Sequence, residues 1–326
     1  MKRLFIILIV LPLAISAWAQ PETDLRPQQT VFLYAKCVRN CPDPVMGKAV
    51  FAGFEMKESN GVSEPERIGG SGNLHNVSDL ARFDLYFPEH PNGQMVLVMP
   101  GGGYVGMTTY QGGLYMAEYF LKLGITAAVV KYRKPNLHPD VPLADVRNVL
   151  LYCREHAKEW GVNQIGVLGA SAGGHLAASA ATMYTDSVTR PDFAILLYPV
   201  ISFDRSLAPD SNTRRNMIGY QEGSDELADK YSPNLYVTPD TPPTFIAASE
   251  NDRSVPVVQS ITMYKALLEN GVVADLHIYP KGGHAWTMIP RTDGRERFTD
   301  YRAEFLASLE RFLSQVKEVT NNQLAK

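Results

Sequence analysis

Short apolar runs closed by glycine or proline alternate with longer stretches in which apolar residues recur every three or four positions. Gln94 to Met99 (QMVLVM), bounded by Gly93 and Pro100, reads as a strand. Gly113 to Leu123 reads as a helix ending at Gly124, and Ile125 to Val130 as a second, β-branched strand. Pro142 opens a helix with Leu143, Val146, Val149, Leu150, Cys153 and Ala157 on its apolar positions. Ile165 to Leu168 is a third strand, followed by a small-residue helix from Gly174 to Met183. Phe193 to Leu197, Thr244 to Ala248 and Ala274 to Tyr279 are three more strands, with a helix from Val257 to Glu269 between the last two. A final helix carries Phe305, Leu309, Phe312 and Val316 on one stripe before the tail turns polar. Strands separated by helical stretches predict βαβ units, hence the α/β class, with a mostly parallel central sheet flanked by helices. Residues 20–70 are irregular and rich in Gly, Pro and Glu, and read as an N-terminal extension. Residues 71–326 read as one domain, interrupted over about 201–241 by a small insertion or lid with a short helix near Asp225 to Tyr231.

The start of the chain has a different character. Lys2 and Arg3 precede the apolar run Leu4 to Ile15, and Ala17-Trp18-Ala19 supplies a small-x-small cleavage pattern before Gln20. This is a signal-peptide arrangement over residues 1–19, so the mature protein is expected to be exported, periplasmic or secreted. The segment, broken by Pro12, falls short of the ~20 apolar residues needed to span a bilayer, so no stable membrane insertion is expected after cleavage. Export makes a Cys37–Cys41 disulfide and two free thiols equally open readings, while Cys153, on an apolar helix face, reads as packing. With 31 Lys and Arg against 34 Asp and Glu, the formal charge of the 326 residues is −3, which gives no electrostatic reason to expect nucleic acid. No HExxH, no His–Cys zinc spacing and no P-loop occurs, so neither a metal nor an organic cofactor is implied.

Candidate chemistry concentrates at strand ends. Gly169-Ala170-Ser171-Ala172-Gly173 follows the third strand and opens the small-residue helix, which is G-x-S-x-G in the strand–turn–helix setting of a nucleophilic serine. A serine hydroxyl needs a base. His284, in a Gly282-Gly283-His284 turn after the last strand, is the first candidate; His175, four residues after Ser171, is the competitor, and His277 lies within a strand. Asp252, past the strand Thr244–Ala248, is placed to orient the imidazole, with Asp204 and Glu250 as alternatives. Pro100-Gly101-Gly102-Gly103-Tyr104 follows the first strand, and the N–H groups of Gly102, Gly103 and Ala172 are candidate oxyanion donors. Gly101, Gly103 and Gly106 also spell G-x-G-x-x-G, a dinucleotide fingerprint. That alternative wants a carboxylate at the end of the next strand, where the chain reads Lys131-Tyr132-Arg133.

PGGGY at 100–104, KYRKP at 131–135, GASAGGHLA at 169–177, YSPNLYVTPDTPPTF at 231–245, ENDRSVP at 250–256 and GVVADLHIYPKGGHAW at 271–286 together resemble the α/β-hydrolase superfamily, specifically its bacterial acetylxylan esterases, feruloyl esterases and related carboxylesterases. The resemblance runs from about Phe83 to Leu313 and implies an α/β-hydrolase fold with Ser171 as nucleophile, Asp252 as acid, His284 as base, and Gly102, Gly103 and Ala172 as oxyanion donors. It departs at Pro100, where many relatives have histidine, and at Asn251, where many carry a second aspartate. The implied activity is hydrolysis of short acyl esters, acetyl foremost, on hemicellulose-type oligosaccharides. Feruloyl or generic short-chain esters, a serine peptidase and a non-catalytic binding module of the same fold are the alternatives. Tyr104, Tyr110 and Trp286 fall near the expected mouth and are candidate rings for stacking on a sugar.

Overall fold

The computed structural model describes residues 25–33, 67–68, 74–75, 81–135, 138–207, 211–219, 225–287 and 301–324. The expected signal peptide over 1–19 and both Cys37 and Cys41 lie outside the described residues. Among the described residues there are ten strands: β1 (Gln29–Phe32), β2 (Arg67–Ile68), β3 (Leu74–His75), β4 (Arg82–Tyr86), β5 (Gln94–Met99), β6 (Thr126–Lys131), β7 (Gln164–Ala170), β8 (Ala194–Leu197), β9 (Thr244–Ser249) and β10 (Ala274–Tyr279). Eight form one sheet in the order β1-β4-β6-β5-β7-β8-β9-β10, while β2 and β3 pair separately. From β6 to β10 every neighbouring pair is parallel, and β1–β4 and β4–β6 are antiparallel. The α/β reading and the α/β-hydrolase class both hold.

The parallel strands are apolar runs because both faces are covered. Every residue of β5, β6, β7 and β9 is buried. One face takes α1 (Tyr115–Lys122) and α7 (Arg302–Leu324), through Phe120, Phe305, Leu309 and Phe312. The other takes α2 (Val141–His156), α3 (Ala172–Thr182) and α6 (Val258–Glu269), through Val146, Val149, Leu176 and Met263. The helix expected at Gly113 to Leu123 begins as a π-helical turn over Thr109–Leu114 before becoming α1. The insertion supplies α4 (Asn212–Ile218), α5 (Asp225–Lys230) and a 3₁₀ turn over Pro233–Tyr236.

Within the N-terminal extension, read from the sequence as irregular, β1 pairs with β4 along Gln29↔Leu85 to Phe32↔Arg82 and lies at one edge of the main sheet. Its Val31 and the adjoining Leu33 are core residues. A buried ion pair holds the end of β6 to α2. Asp145, fully buried, accepts from the Arg133 backbone N–H at 2.8 Å and from Arg133 Nη2 at 2.6 Å. Arg133 is 3% exposed and its charge is met by that carboxylate. Arg133, in the basic strand end where a dinucleotide site would want a carboxylate, is therefore engaged inside the protein. Cys153 is buried and free, as its apolar setting suggested, and burial pushes its thiol well above the ordinary value.

Candidate active site

Ser171 sits between the end of β7 and the first turn of α3, with φ +57° and ψ −120°, outside the regions that L-residues favour. The flanking residues must be glycines for the chain to make this bend. A Cβ on Gly169 would lie 1.9 Å from the Gly173 carbonyl oxygen, and one on Gly173 would lie 2.0 Å from the Met99 carbonyl oxygen. The serine hydroxyl is consequently held above the sheet edge.

Two further strand ends bring the partners. His284 follows β10 and Asp252 follows β9, and these strands are parallel neighbours in register from Ala274↔Thr244. His284 Nε2 lies 3.0 Å from Ser171 Oγ, and Nδ1 lies 2.7 Å from Asp252 Oδ2. The carboxylate only accepts, so the imidazole proton resides on Nδ1 and Nε2 is left to accept from the serine. Asp252 is itself fixed, since its Oδ1 accepts the N–H groups of Ser254 at 2.8 Å and Val255 at 3.0 Å. The alternatives Asp204 and Glu250 are exposed, and Asp204 accepts from the Ser206 N–H in a turn of its own.

The glycine loop after β5 lies against Ser171: a Cβ on Gly101 would be 3.1 Å from the serine Cβ. Its carbonyls are all taken. Tyr132 O–H donates to Pro100 O at 2.7 Å, the Thr108 N–H to Gly101 O at 2.9 Å, the Gly106 N–H to Gly102 O at 3.0 Å, and Asn216 Nδ2 to Gly103 O at 2.8 Å. Gly102 turns here with φ +142°, where a Cβ would lie 2.2 Å from the Gly106 carbonyl oxygen. The N–H groups of Gly102, Gly103 and Ala172, by contrast, donate to no acceptor among the described residues. Backbone donors without an acceptor among the described residues, beside a serine that contacts an imidazole, form a setting able to stabilise a developing oxyanion.

His175 is not the base. Its Nε2 lies 2.7 Å from the Tyr231 carbonyl oxygen and its Nδ1 2.8 Å from Tyr104 Oη, and the ring is 1% exposed. Burial lowers its pKa from 6.5 to about 4. The folded chain therefore resists a proton that the unfolded chain accepts. The associated stability is whole above pH 6.5 and is lost progressively as the pH falls toward about 4, amounting to about 3 kcal/mol in all. Urea unfolding between pH 7 and pH 4.5 is expected to show this slope in the wild type and a shallower one in His175→Asn; equal slopes would contradict it. His277 on β10 stacks on Phe245 at 5.0 Å, a packing role.

The two aromatics proposed for a sugar platform are corrected by their burial. Tyr104 is 2% exposed and Trp286 1%. Tyr104 has φ +60° and bonds His175, while Trp286 packs edge-on to Tyr279 at 4.7 Å and Phe305 at 5.4 Å. Both rings point into the protein and shape loops instead. The side chain of Tyr110 lies outside the described set. Some supporting residues escaped the sequence reading. Ser249 Oγ donates to Gly283 O at 2.6 Å and Asn251 Oδ1 accepts the Gly283 N–H at 2.8 Å, so both peptide groups of Gly283 are clamped beside the histidine. Tyr198 lays its ring against His284 with centroids 4.9 Å apart. Asn251 had one signal, its place beside Asp252; Ser249, Asn216 and Tyr198 had none. No group of three or more His, Cys, Asp or Glu among the described residues is placed to hold a metal ion, and none of their helices is long and apolar enough to cross a membrane.

Comparison with known proteins follows the same lines. A family model described as BD-FAE matches residues 83–267. An acetylxylan esterase of Xylanibacter ruminicola is 36% identical over 218 residues, covering 65% of this chain and 45% of that protein. Endo-1,4-beta-xylanase B of Butyrivibrio fibrisolvens is 31% identical over 210 residues, covering 59% of this chain and 32% of that protein. The chain thus spans less than half the length of either curated relative. The crystal structure of an acetyl ester-xyloside bifunctional hydrolase from Caldicellulosiruptor lactoaceticus superposes with a TM-score of 0.61 at 30% identity, over 73% of this chain and 89% of that one.

Proposed function

The chain belongs to the BD-FAE family, with the α/β-hydrolase fold, and we propose that it is an exported serine carboxylesterase releasing short acyl groups, acetyl foremost, from hemicellulose-type oligosaccharides. The observation that carries this reading is the hydrogen-bonded series Ser171, His284, Asp252, at 3.0 and 2.7 Å. Similarity to an acetylxylan esterase and to a xylanase favours a xylan-type acetyl ester as substrate. Export rests on the segment from Lys2 to Ala19 alone.

In this mechanism Ser171 Oγ attacks the ester carbonyl carbon while His284 Nε2 takes its proton, and Asp252 stabilises the imidazolium that results. The carbonyl π pair moves to oxygen, where the N–H groups of Gly102, Gly103 and Ala172 hold the charge. Collapse re-forms the carbonyl and breaks the bond to the sugar oxygen, which leaves as an alcohol with the proton from His284. Water, deprotonated by the same nitrogen, then attacks the acyl-serine and releases the acid and the free hydroxyl of Ser171.

The test uses protein beginning at Gln20 with acetylated xylo-oligosaccharides, feruloylated oligosaccharides and a chromogenic acetate, following acid release. Acetate from the oligosaccharide at a kcat/KM of about 10⁴ M⁻¹s⁻¹ or more is the expected result. Turnover of only the chromogenic ester, or of only the feruloyl ester, removes the acetyl-sugar assignment. No turnover of any of the three leaves a serine peptidase or a non-catalytic module of the same fold.

A further inference from the structure

We propose that His175 and Tyr104 form a strut setting the distance between the nucleophile and the oxyanion donors, which makes His175 a positioning residue for transition-state charge. This deepens the esterase reading above and rests on it.

His175 lies one turn beyond Ser171 on α3, and its backbone N–H donates to the Ser171 carbonyl at 3.1 Å. The Tyr231 carbonyl can only accept, so its 2.7 Å contact places the imidazole proton on Nε2. Nδ1 is then an acceptor, and the 2.8 Å contact is a hydrogen bond donated by the Tyr104 hydroxyl. The ring is further fixed by stacking on Phe203 at 4.7 Å.

Tyr104 directly follows Gly103, one of the candidate donors. It is held at φ +60°, a left-handed conformation that costs a non-glycine residue energy and persists only where its surroundings impose it. Those surroundings are the bond to His175 and an edge-on contact with Tyr132, whose hydroxyl grips the Pro100 carbonyl. The helix that presents the nucleophile thereby also anchors the loop that presents two donors, through a single buried side-chain contact. A base role for His175 is excluded by the same geometry, because both ring nitrogens are engaged away from Ser171.

The experiment compares Tyr104→Phe, His175→Phe, His175→Asn and Ser171→Ala on a chromogenic acetate, with thermal unfolding of each. Tyr104→Phe removes one oxygen and keeps the ring. It is expected to lower kcat about 10-fold with KM unchanged, and to weaken a trifluoromethyl ketone, whose hemiketal oxyanion occupies the donor site, by the same factor. His175→Asn keeps an oxygen able to accept from Tyr104 and is expected to retain kcat within about threefold, whereas His175→Phe loses as much as Tyr104→Phe. The double variant Tyr104→Phe/His175→Phe is expected to be no slower than the worse single variant. An unchanged kcat in Tyr104→Phe, a loss appearing only in KM, or a failure of asparagine to rescue overturns the strut. If Ser171→Ala keeps its turnover, the assignment of Ser171 as nucleophile, on which the strut depends, falls; if Ser171→Ala is inert and Tyr104→Phe is unchanged, only the strut does.

Discussion

Ser171→Ala is expected to lower kcat for an acetyl ester by about 10⁴-fold or more while KM moves by less than about threefold. Only the Oγ is lost. The Cβ remains, and alanine can follow the bend between β7 and α3 because serine itself already stands at φ +57° there. His284, about a quarter exposed, loses a partner at Nε2 that water can replace, so the unfolding midpoint is expected to stay within about 3 °C. The residual rate reports what the free N–H groups of the glycine loop contribute without a nucleophile. Adding His284→Ala to Ser171→Ala is expected to cost nothing further, since a base without a nucleophile has no task. Steady-state kinetics on the two single variants and the double variant, with melting curves beside them, decide this. Turnover above about one hundredth of wild type in Ser171→Ala would assign the nucleophile elsewhere.

Asp145→Ala is expected to have the largest effect on stability, about 3–5 kcal/mol, because it leaves the buried Arg133 guanidinium without its carboxylate. The Arg133 backbone N–H, Nε and Nη2 all bond that one side chain. At about 2–4 °C per kcal/mol for a domain of this kind, the melting point should fall by roughly 10 °C. Activity suffers too, because Tyr132, the residue before Arg133, holds the Pro100 carbonyl of the glycine loop. Arg133→Met combined with Asp145→Leu removes both charges and is expected to regain part of the loss. A urea midpoint in Asp145→Ala equal to wild type would show that the pair carries no net stability.

The parallel core of this fold was legible because burial on both faces writes itself as unbroken apolar runs. β5 and β9 could be read to within a residue, whereas β7 runs one residue before and two beyond the stretch Ile165 to Leu168. β1 could not, since only one residue of its Gln-Thr-Val-Phe run is buried, and four residues with one apolar contact carry no period. β4 alternates Arg-Phe-Asp-Leu-Tyr, too short a stretch to stand out before its partner strand is known. The positions of Ser171, Asp252 and His284 followed from where glycines and acids sit relative to strand ends. The direction of a side chain did not follow. Tyr104 and Trp286 neighbour site residues in sequence, yet the left-handed turns at Tyr104 and Ala285 send both rings inward. Asn216 reaches the Gly103 carbonyl from a helix 113 residues away, a contact that no local pattern encodes.

His284 hangs from β10, whose one hydrogen-bonded neighbour among the described strands is β9 and which lies at one end of the main sheet, its residues mostly half-covered. Flank strands of this kind open locally at a smaller free energy than interior ones. A brief detachment of β10 would carry His284 away from Ser171 while β5, β6 and β7 keep their shape and their serine. For an enzyme built this way, turnover is expected to fade reversibly below the temperature at which the interior melts.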